Sequence, residues 1–472
     1  MEFAKTLRVQ STAIPGLLMV DIPVHGDDRG WFKENWQREK MVALGLPDFD
    51  PVQANITFNA RRGTTRGLHA EPWDKYISIA AGKVMGAWVD LRAGDSFGTV
   101  VTSELDPSCA VFVPRGVANG FQALEDETSY VYLVNDHWRA HTGSGYTFVN
   151  AGDPGLAIPW PIPLEQATLS DKDRGHPLLG AVAPVLPRRI VVVGAGGQLA
   201  GSLNRLLRSR GLTNVAFLTR DDLDITDAAA VSSHPWERLS TVVNAAAWTD
   251  VDDAETPQGR LSAWQVNAHG VANLARAAIA NTLTLVHVSS DYVFDGSRAV
   301  HDENEPASPL GVYGQSKAAG DTAASTVPRH YILRTSWVVG DGPNFVRTMA
   351  QLARQGVRPR VVDDQVGRLT TADELARAAL HLLDARAPFG VYNVSSSGEP
   401  MSWADIAAEV FAELGRDPGD VTRISTADYR TAGPTAPRPR SSVLDLQRIT
   451  ATGFAPRDQR STLRDYLRSP QS

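Results

Sequence analysis

The chain has 472 residues, with 46 Lys+Arg against 53 Asp+Glu for a formal net charge of -7, and a single cysteine, Cys109. At roughly 100–200 residues per domain, that length calls for two or three units and excludes one small domain. The mild negative charge excludes a broad basic field for nucleic acid, and a lone cysteine excludes both an internal disulfide and a Cys-type zinc site. The opening "MEFAKTLRVQSTAIPG" lacks the apolar core of a signal peptide. No apolar run reaches the roughly 18 residues of a membrane helix, so a soluble cytoplasmic chain with no membrane partner is expected.

From Ile14 to about Leu179, short runs alternate with period two ("YISIAAGKVMGAWVDL", "CAVFVPRG", "SYVYLVND") between Gly, Pro, Asp and Asn. That pattern predicts an all-β barrel or jelly roll. Within it, "TTRGLHAEPWDK" sets His69 beside Arg66 and Lys75. On position alone, a histidine there reads as a satisfied, partly buried side chain.

The phrases "IPGLLMVDIPVHGDDRGWFKE", "RGLHAEP", "VDLRAGDSFGT", "VPRGVANGFQAL", "YVYLVND" and "LSDKDRGHPLL" resemble, in order, dTDP-4-dehydrorhamnose 3,5-epimerase, a cupin-type jelly roll, across residues 14–179. The resemblance implies His69 as the base that removes protons α to a sugar 4-keto group, with Asp173 orienting it. It further implies Tyr132 as the proton donor on the opposite face, Lys75 as the enolate stabiliser and Arg66 at the diphosphate. Gln53, Asn55, Asn119, Arg29 and Glu34 follow as substrate contacts. These types suit the chemistry, because a weakly acidic proton needs a positioned base and a cation beside the developing oxyanion. No metal is expected in this unit, since His25, His69, His137 and His141 do not recur at ligand spacing. The sequence departs from the family at Asn119 (usually histidine), Trp138 (usually tyrosine), Ala70 and Glu71; Asn119 keeps a donor for phosphate without a charge.

Pro177, Pro184 and Pro187 in "GHPLLGAVAPVLPRR" suit an extended, stiff connector. The expected division is 1–180, a linker at 181–187, and 188–472. From Arg189 onward, buried apolar strands ("IVVVGA", "TVVNAAA", "LVHVSS", "YILRTS") alternate with helical stretches, which predicts a doubly wound α/β sheet of the Rossmann type.

"RIVVVGAGGQLAGSLNRLL" places Gly194, Gly197 and Ala200 at dinucleotide-binding spacing. The first glycine permits a tight turn, the second admits a pyrophosphate at the helix N-terminus, and the alanine lets helix and strand pack closely. Gln198, Leu199, Ala245 and Ala246 are further candidates at the cofactor. Arg220, past the second strand, either pairs with an adenosine 2′-phosphate or stands solvated. In "YGQSK", Tyr313 and Lys317 lie four apart on one helix face, and a lysine near a phenol stabilises phenolate. "HVSSDYVFDG" presents Ser290 at a strand's carboxyl end, where ligands bind in open α/β sheets.

"GAGGQLAG", "VNAAAWTDVDDAE", "HVSSDYVFDG", "YGQSKAAGD", "LRTSWVVGDGPNFVRTMAQLA" and "VVDDQVGRLT" together resemble dTDP-4-dehydrorhamnose reductase, an extended short-chain dehydrogenase, over about 188–468. The resemblance implies Tyr313 as proton donor, Lys317 as its tuner and ribose ligand, and Ser290 (usually threonine) as the hydroxyl orienting the carbonyl. Trp337 follows as a substrate contact. Trp248, Arg368 and Leu369 depart from the family pattern. NADPH and NADH both stay open, as does a Mg2+ ion supporting the reductase.

Together the halves imply consecutive steps on a dTDP-linked 4-keto-6-deoxyhexose, in a homodimer formed through the jelly roll. Two alternatives stand: active domains making another dTDP-6-deoxyhexose, or a working reductase with a non-catalytic cupin used for binding and dimerisation.

Overall fold

A computed structural model describes residues 3, 5–49, 51–136, 145–186, 189–212, 214–236, 239–430 and 435–468. The chain forms two compact units, Met1–Pro187 and Arg188–Ser472. Among the described residues no helix is long and apolar enough to cross a membrane.

The first unit is two antiparallel sheets. One contains β1 (Arg8–Ser11), β2 (Leu18–Asp21), β5 (Gln53–Asn59), β7 (Lys75–Ala81), β10 (Cys109–Val113) and β12 (Thr128–Val134), in the order β1-β2-β10-β7-β12-β5. The other contains β6 (Thr65–Ala70), β8 (Val84–Asp90), β9 (Val100–Leu105), β11 (Val117–Ala123) and β13 (Thr147–Phe148), in the order β13-β6-β11-β8-β9. Outside both lie the ribbon β3 (His25–Asp27) and β4 (Gly30–Phe32) and the short helices α1 (Arg38–Ala43) and α2 (Asp171–Arg174). Successive strand residues face opposite sides, so Ile77, Trp88, Val111, Phe121 and Tyr130 meet between the sheets, while Leu68, Ala70, Ala87, Val89 and Ala118 face outward into a second core. His69 lies between two of these outward residues and pairs in register with Asn119, which pairs with Trp88. The alternation therefore turns His69 and Asn119 into the space between the sheets.

The β6–β11 crossing is unusually tight. Gly67 has φ +112, and a Cβ on it would lie 2.6 Å from Gly120 Cα; a Cβ on Gly120 would lie 2.7 Å from the Arg66 carbonyl oxygen. The register slips between Asn119 and Phe121 at this point, so glycine on both strands is what allows His69 to sit opposite Asn119. Because the obstacle is backbone, Gly120→Ala is expected to destabilise this unit by about 3 kcal/mol. The readout is faster hydrogen exchange along β6 and β11.

Residues 181–186 differ from the expected stiff connector outside the core. Val182 is buried in the outward core, and Val185 donates to the Leu91 carbonyl at 2.7 Å and accepts from the Ala93 amide at 2.9 Å. Apolar residues alternating with the prolines give the segment a side to bury, so it closes the first unit.

The second unit is built on six parallel strands: β14 (Arg189–Val193), β15 (Val215–Leu218), β16 (Leu239–Asn244), β17 (Thr284–Ser290), β18 (His330–Thr335) and the strand Gly390–Val394. Their order is β15-β14-β16-β17-β18 and then Gly390–Val394. Val192 packs on one face with Leu199 and Leu203 of α3 (Gln198–Ser209), whereas Val191 and Val193 pack on the other with Val231 of α4 (Ala228–Ser233) and Leu274 of α6 (Val271–Ala280). Burial on both faces explains why these strands read as unbroken apolar runs. Helices α5 (Pro257–Trp264) and α7 (Val312–Ser325) complete the elements near the chemistry. The chain reverses its direction of travel across the sheet between β14 and β16, and the carboxyl ends at such a reversal form a crevice.

Candidate active sites

In the first unit, α2 delivers an acid to the base. Ser170 caps the helix by accepting from the Asp173 amide, and this orients Asp173 so that its Oδ1 lies 2.9 Å from His69 Nε2. Burial alone would raise the Asp173 carboxyl, but the His69 hydrogen bond and charge, with the Gly67 amide, hold it below the usual carboxylate range. An ionised carboxylate on Nε2 keeps the ring proton there, leaving the Nδ1 lone pair to accept a proton.

Lys75, at the start of β7, faces the same space. Its Nζ lies 2.5 Å from Glu71 Oε1, donates to Asn119 Oδ1 at 2.9 Å, and sits 5.1 Å from the Tyr132 ring centroid. Asn119 accepts from Lys75 at its amide oxygen, because a buried ammonium has donors to satisfy, while its amide nitrogen remains the group that was expected to donate to a phosphate. Glu71, noted only as a departure, matches the Lys75 charge. Breaking a buried pair leaves an uncompensated charge, so Glu71→Gln should destabilise the unit by about 3 kcal/mol. Adding Lys75→Met should recover most of it in a double-mutant cycle by urea unfolding.

Tyr132 is half-buried and its phenol is raised by burial and by Glu71, against the opposing charge of Arg66. It pairs across the sheet with Asn55, two residues from Gln53, whose Nε2 donates to Asn55 Oδ1 at 2.8 Å. Arg66 is exposed and donates from Nε to Asn59 Oδ1 at 3.0 Å. Arg29 and Glu34 are not brought to this group: Arg29 pairs with Asp27 at the β3–β4 turn, and Glu34 pairs with Lys40. His25 is exposed on β3. His137, Trp138 and His141 lie outside the described residues.

His176 was missed. Its Nε2 lies 3.8 Å from Asp173 Oδ1, its ring stacks on Phe148 at 4.7 Å, and it meets His69 edge-on at 5.4 Å. Both its ring nitrogens are buried without a hydrogen-bond partner among the described residues. The available signal was the three-residue step from Asp173 in "SDKDRGHP", which one helical turn converts into proximity.

In the second unit, Gly194 follows β14 with φ +81, and a Cβ there would lie 2.5 Å from the Ala246 amide nitrogen. Ala245 and Ala246 continue from the end of β16, so these residues share the crevice. Gly197 is the N-cap of α3 and makes no side-chain cap, so the amides at Gln198 and Leu199 open the helix toward an anion. Gln198 Oε1 is buried without a hydrogen-bond partner among the described residues. A turn that excludes Cβ and an uncapped helix end fit a dinucleotide pyrophosphate. Arg220 lies two residues past β15, largely exposed and paired with Asp224 at 3.1 Å.

Ser290 ends β17; its Oγ donates to Asp291 Oδ1 at 2.9 Å and accepts from the Tyr292 amide. Burial pushes the Tyr313 phenol up to about 12, aided by Asp291 and Asp321 and opposed by the nearby Ser290 hydroxyl. Lys317 donates to the Val288 carbonyl at 2.6 Å, and burial brings its amine down to about 8 against the pull of Asp321. The lysine expected to tune the phenol thus donates to a backbone carbonyl. Asp321, one turn beyond Lys317, was also missed, as was Arg334, whose Nε donates to it at 3.0 Å. The lysine-to-aspartate spacing in "KAAGD" was legible; the arginine, from β18, was not.

Trp337 stacks on Trp403 with centroids 3.9 Å apart, and its backbone is left-handed at φ +46. Trp248 and Tyr313 both pack against the small core of Ala254, Ala263 and Val312, and Arg368 donates to the carbonyls of Gly398 and Leu444.

A histidine–carboxylate pair in one unit, and a serine, tyrosine and lysine in the other with a glycine turn on the same sheet, are groups able to carry out acid–base chemistry, the second set of the kind a dehydrogenase uses. A family model for dTDP-4-dehydrorhamnose 3,5-epimerase matches residues 11–181, and one for the RmlD substrate binding domain matches 188–471. The chain thus belongs to the dTDP-4-dehydrorhamnose 3,5-epimerase family over its first unit and to the dTDP-4-dehydrorhamnose reductase (RmlD) family over its second. The Protein RmlC homolog of Streptococcus pyogenes is 55% identical over 37% of this chain and 90% of that protein. The dTDP-4-dehydrorhamnose reductase of Aggregatibacter actinomycetemcomitans is 39% identical over 59% of this chain and 97% of that one. A solved dTDP-4-dehydrorhamnose reductase from Bacillus anthracis, in complex with NADP, superimposes with a TM-score of 0.55 at 31% identity, covering 59% of this chain and 98% of that chain.

Proposed function

We propose that the chain converts dTDP-4-dehydro-6-deoxy-D-glucose to dTDP-L-rhamnose in two consecutive steps, one per unit. The first unit is assigned to the cupin-type jelly rolls (1–180, with 181–187 as its junction) and the second to the Rossmann-type extended short-chain dehydrogenases (188–472). The observation that carries the reading is the presence in one chain of the His69–Asp173 pair and the Ser290–Tyr313–Lys317 group.

In the first step, His69 Nδ1 takes the proton at C3 or C5 while Asp173 stabilises the imidazolium that forms. Lys75, held by Glu71 and Asn119, faces the enolate oxygen. Tyr132, kept protonated by burial and by Glu71, returns a proton on the opposite face. In the second step, Ser290 orients the C4 carbonyl and Tyr313 donates its proton to the carbonyl oxygen. A bound nicotinamide supplies the hydride to C4. Arg220 offers a partner to an adenosine 2′-phosphate, which favours NADPH over NADH.

Homodimerisation fits the first unit, because β5 is an edge strand that exposes Ile56 and Phe58. An exposed apolar edge invites a second copy.

The test is to incubate the protein with dTDP-4-dehydro-6-deoxy-D-glucose in D2O, first without and then with NADPH, and to read deuterium and product by NMR. Exchange at C3 and C5 followed by dTDP-L-rhamnose is expected. Exchange at one carbon would mean a different 6-deoxyhexose; no exchange would reduce the first unit to a binding module.

A further inference from the structure

A buried imidazole with neither nitrogen hydrogen-bonded is costly unless something else takes its lone pair. His176 is such a group, 8% exposed, with neither ring nitrogen hydrogen-bonded among the described residues. We propose that His69, Asp173 and His176 form a binding site for one divalent transition-metal ion of the zinc type, and that occupancy switches the base off.

The geometry is near what such an ion requires. One donor atom from each of the three residues lies within 4.8 Å of the others. Asp173 Oδ1 is 2.9 Å from His69 Nε2 and 3.8 Å from His176 Nε2, and these distances bracket the separation of about 3.4 Å between ligand atoms of a tetrahedral zinc ion. Phe148 holds both rings, stacking on His176 and meeting His69 edge-on at 5.5 Å. The backbone under His176 is tied down by Asn150, whose Nδ2 donates to the His176 carbonyl at 3.1 Å. Two imidazoles and one carboxylate favour zinc-like ions over magnesium or calcium, which take oxygen ligands. The His69 side chain is one-third exposed, which gives the ion an entry, and a fourth position stays available to water.

The charges facing this group are the Lys75–Glu71 pair across the inter-sheet space and Lys172, whose ammonium lies 5.2 Å from the Phe148 ring centroid.

The consequence for the base follows from proton position. In the free site the ring proton of His69 is on Nε2, toward Asp173, and Nδ1 is the acceptor. An ion on Nε2 takes that lone pair, and the ring proton moves to Nδ1. The ring stays neutral, no proton is released, and the nitrogen that faces the sugar no longer accepts one. This consequence rests on the proposed epimerase reading; the binding itself does not.

The experiment uses the untagged full chain freed of metal and titrated with Co2+ alone, followed by visible absorption, then displaced by Zn2+. The expected result is a tetrahedral Co2+ spectrum saturating at one ion per chain, with affinity at least about tenfold weaker in His176→Phe, which keeps the stack on Phe148 and removes the donors. X-ray absorption at the zinc edge of the wild-type protein should show imidazole scattering, and this readout needs no variant to fold. Zn2+ should stop C3/C5 exchange in the wild type, and NADPH-dependent reduction by the second unit serves as the internal reference. No uptake, equal uptake by His176→Phe, or zinc without imidazole ligands would overturn the proposal. Uptake as expected by a metal-free protein that exchanges nothing would leave the metal site standing and sink the epimerase reading instead.

Discussion

His69→Ala should lower deuterium exchange at C3 and C5 by at least about 100-fold, while reduction of preformed dTDP-4-dehydro-L-rhamnose by the same chain is unchanged. The α-proton of a ketone leaves only if a base is in place, and in this unit one imidazole carries both a carboxylate partner and a free nitrogen toward the inter-sheet space. Asp173→Asn makes a sharper companion. It preserves the 2.9 Å contact in outline but removes the charge that fixes the tautomer. Exchange should fall less than in His69→Ala. The folded Asp173 carboxyl lies below its ordinary range, so it stays ionised, and keeps its hold on the ring, as pH falls through the usual carboxylate region. Exchange that persists in His69→Ala would mean that another base serves the first unit.

Tyr313→Phe should reduce NADPH-dependent turnover by about 100-fold to 10,000-fold and leave C3/C5 exchange intact. The pH profile of the wild-type reductase separates the two members of the pair. Burial keeps the Tyr313 proton in place up to about 12, so the donor stays loaded throughout the working range. Lys317, brought down by burial to about 8, is charged below that pH and neutral above it. Turnover should therefore decline as pH rises through about 8, far below the loss of the tyrosine proton. Lys317→Arg, which cannot deprotonate in this range, should abolish that limb in whatever activity it retains. An alkaline limit that appears only above about 10, the ordinary lysine range, would assign the limb to another group.

Which parts of these sites could be read beforehand follows from how local they are. Tyr313 and Lys317 sit one helical turn apart, and Gly194 and Gly197 lie between a strand and a helix, so their spacing alone determines proximity. The β unit was visible in its short alternating runs between turn residues, and the α/β unit in unbroken apolar strands that alternate with helices and bury both faces. His69 and Asp173 are separated by 104 residues, and no periodicity joins them; only the resemblance did. The Lys75–Glu71 and Asp321–Arg334 pairs escaped for a related reason. A charge that reads as solvated in sequence becomes a partner only when the fold removes water from both members. The junction around Val185 was misread because prolines were weighed and the valines between them were not.

Each unit completes its own apolar cores, and Val182 and Val185 close the first before the second begins at Arg188. Joining them asked nothing new of either fold, yet it removes a variable that two separate polypeptides would leave to expression and turnover. Every molecule made carries one site of each kind, so the molar ratio of the two activities is held at one to one in any amount of protein. Flux through the pair can then be adjusted only by changing a site, never by changing the proportion of the sites.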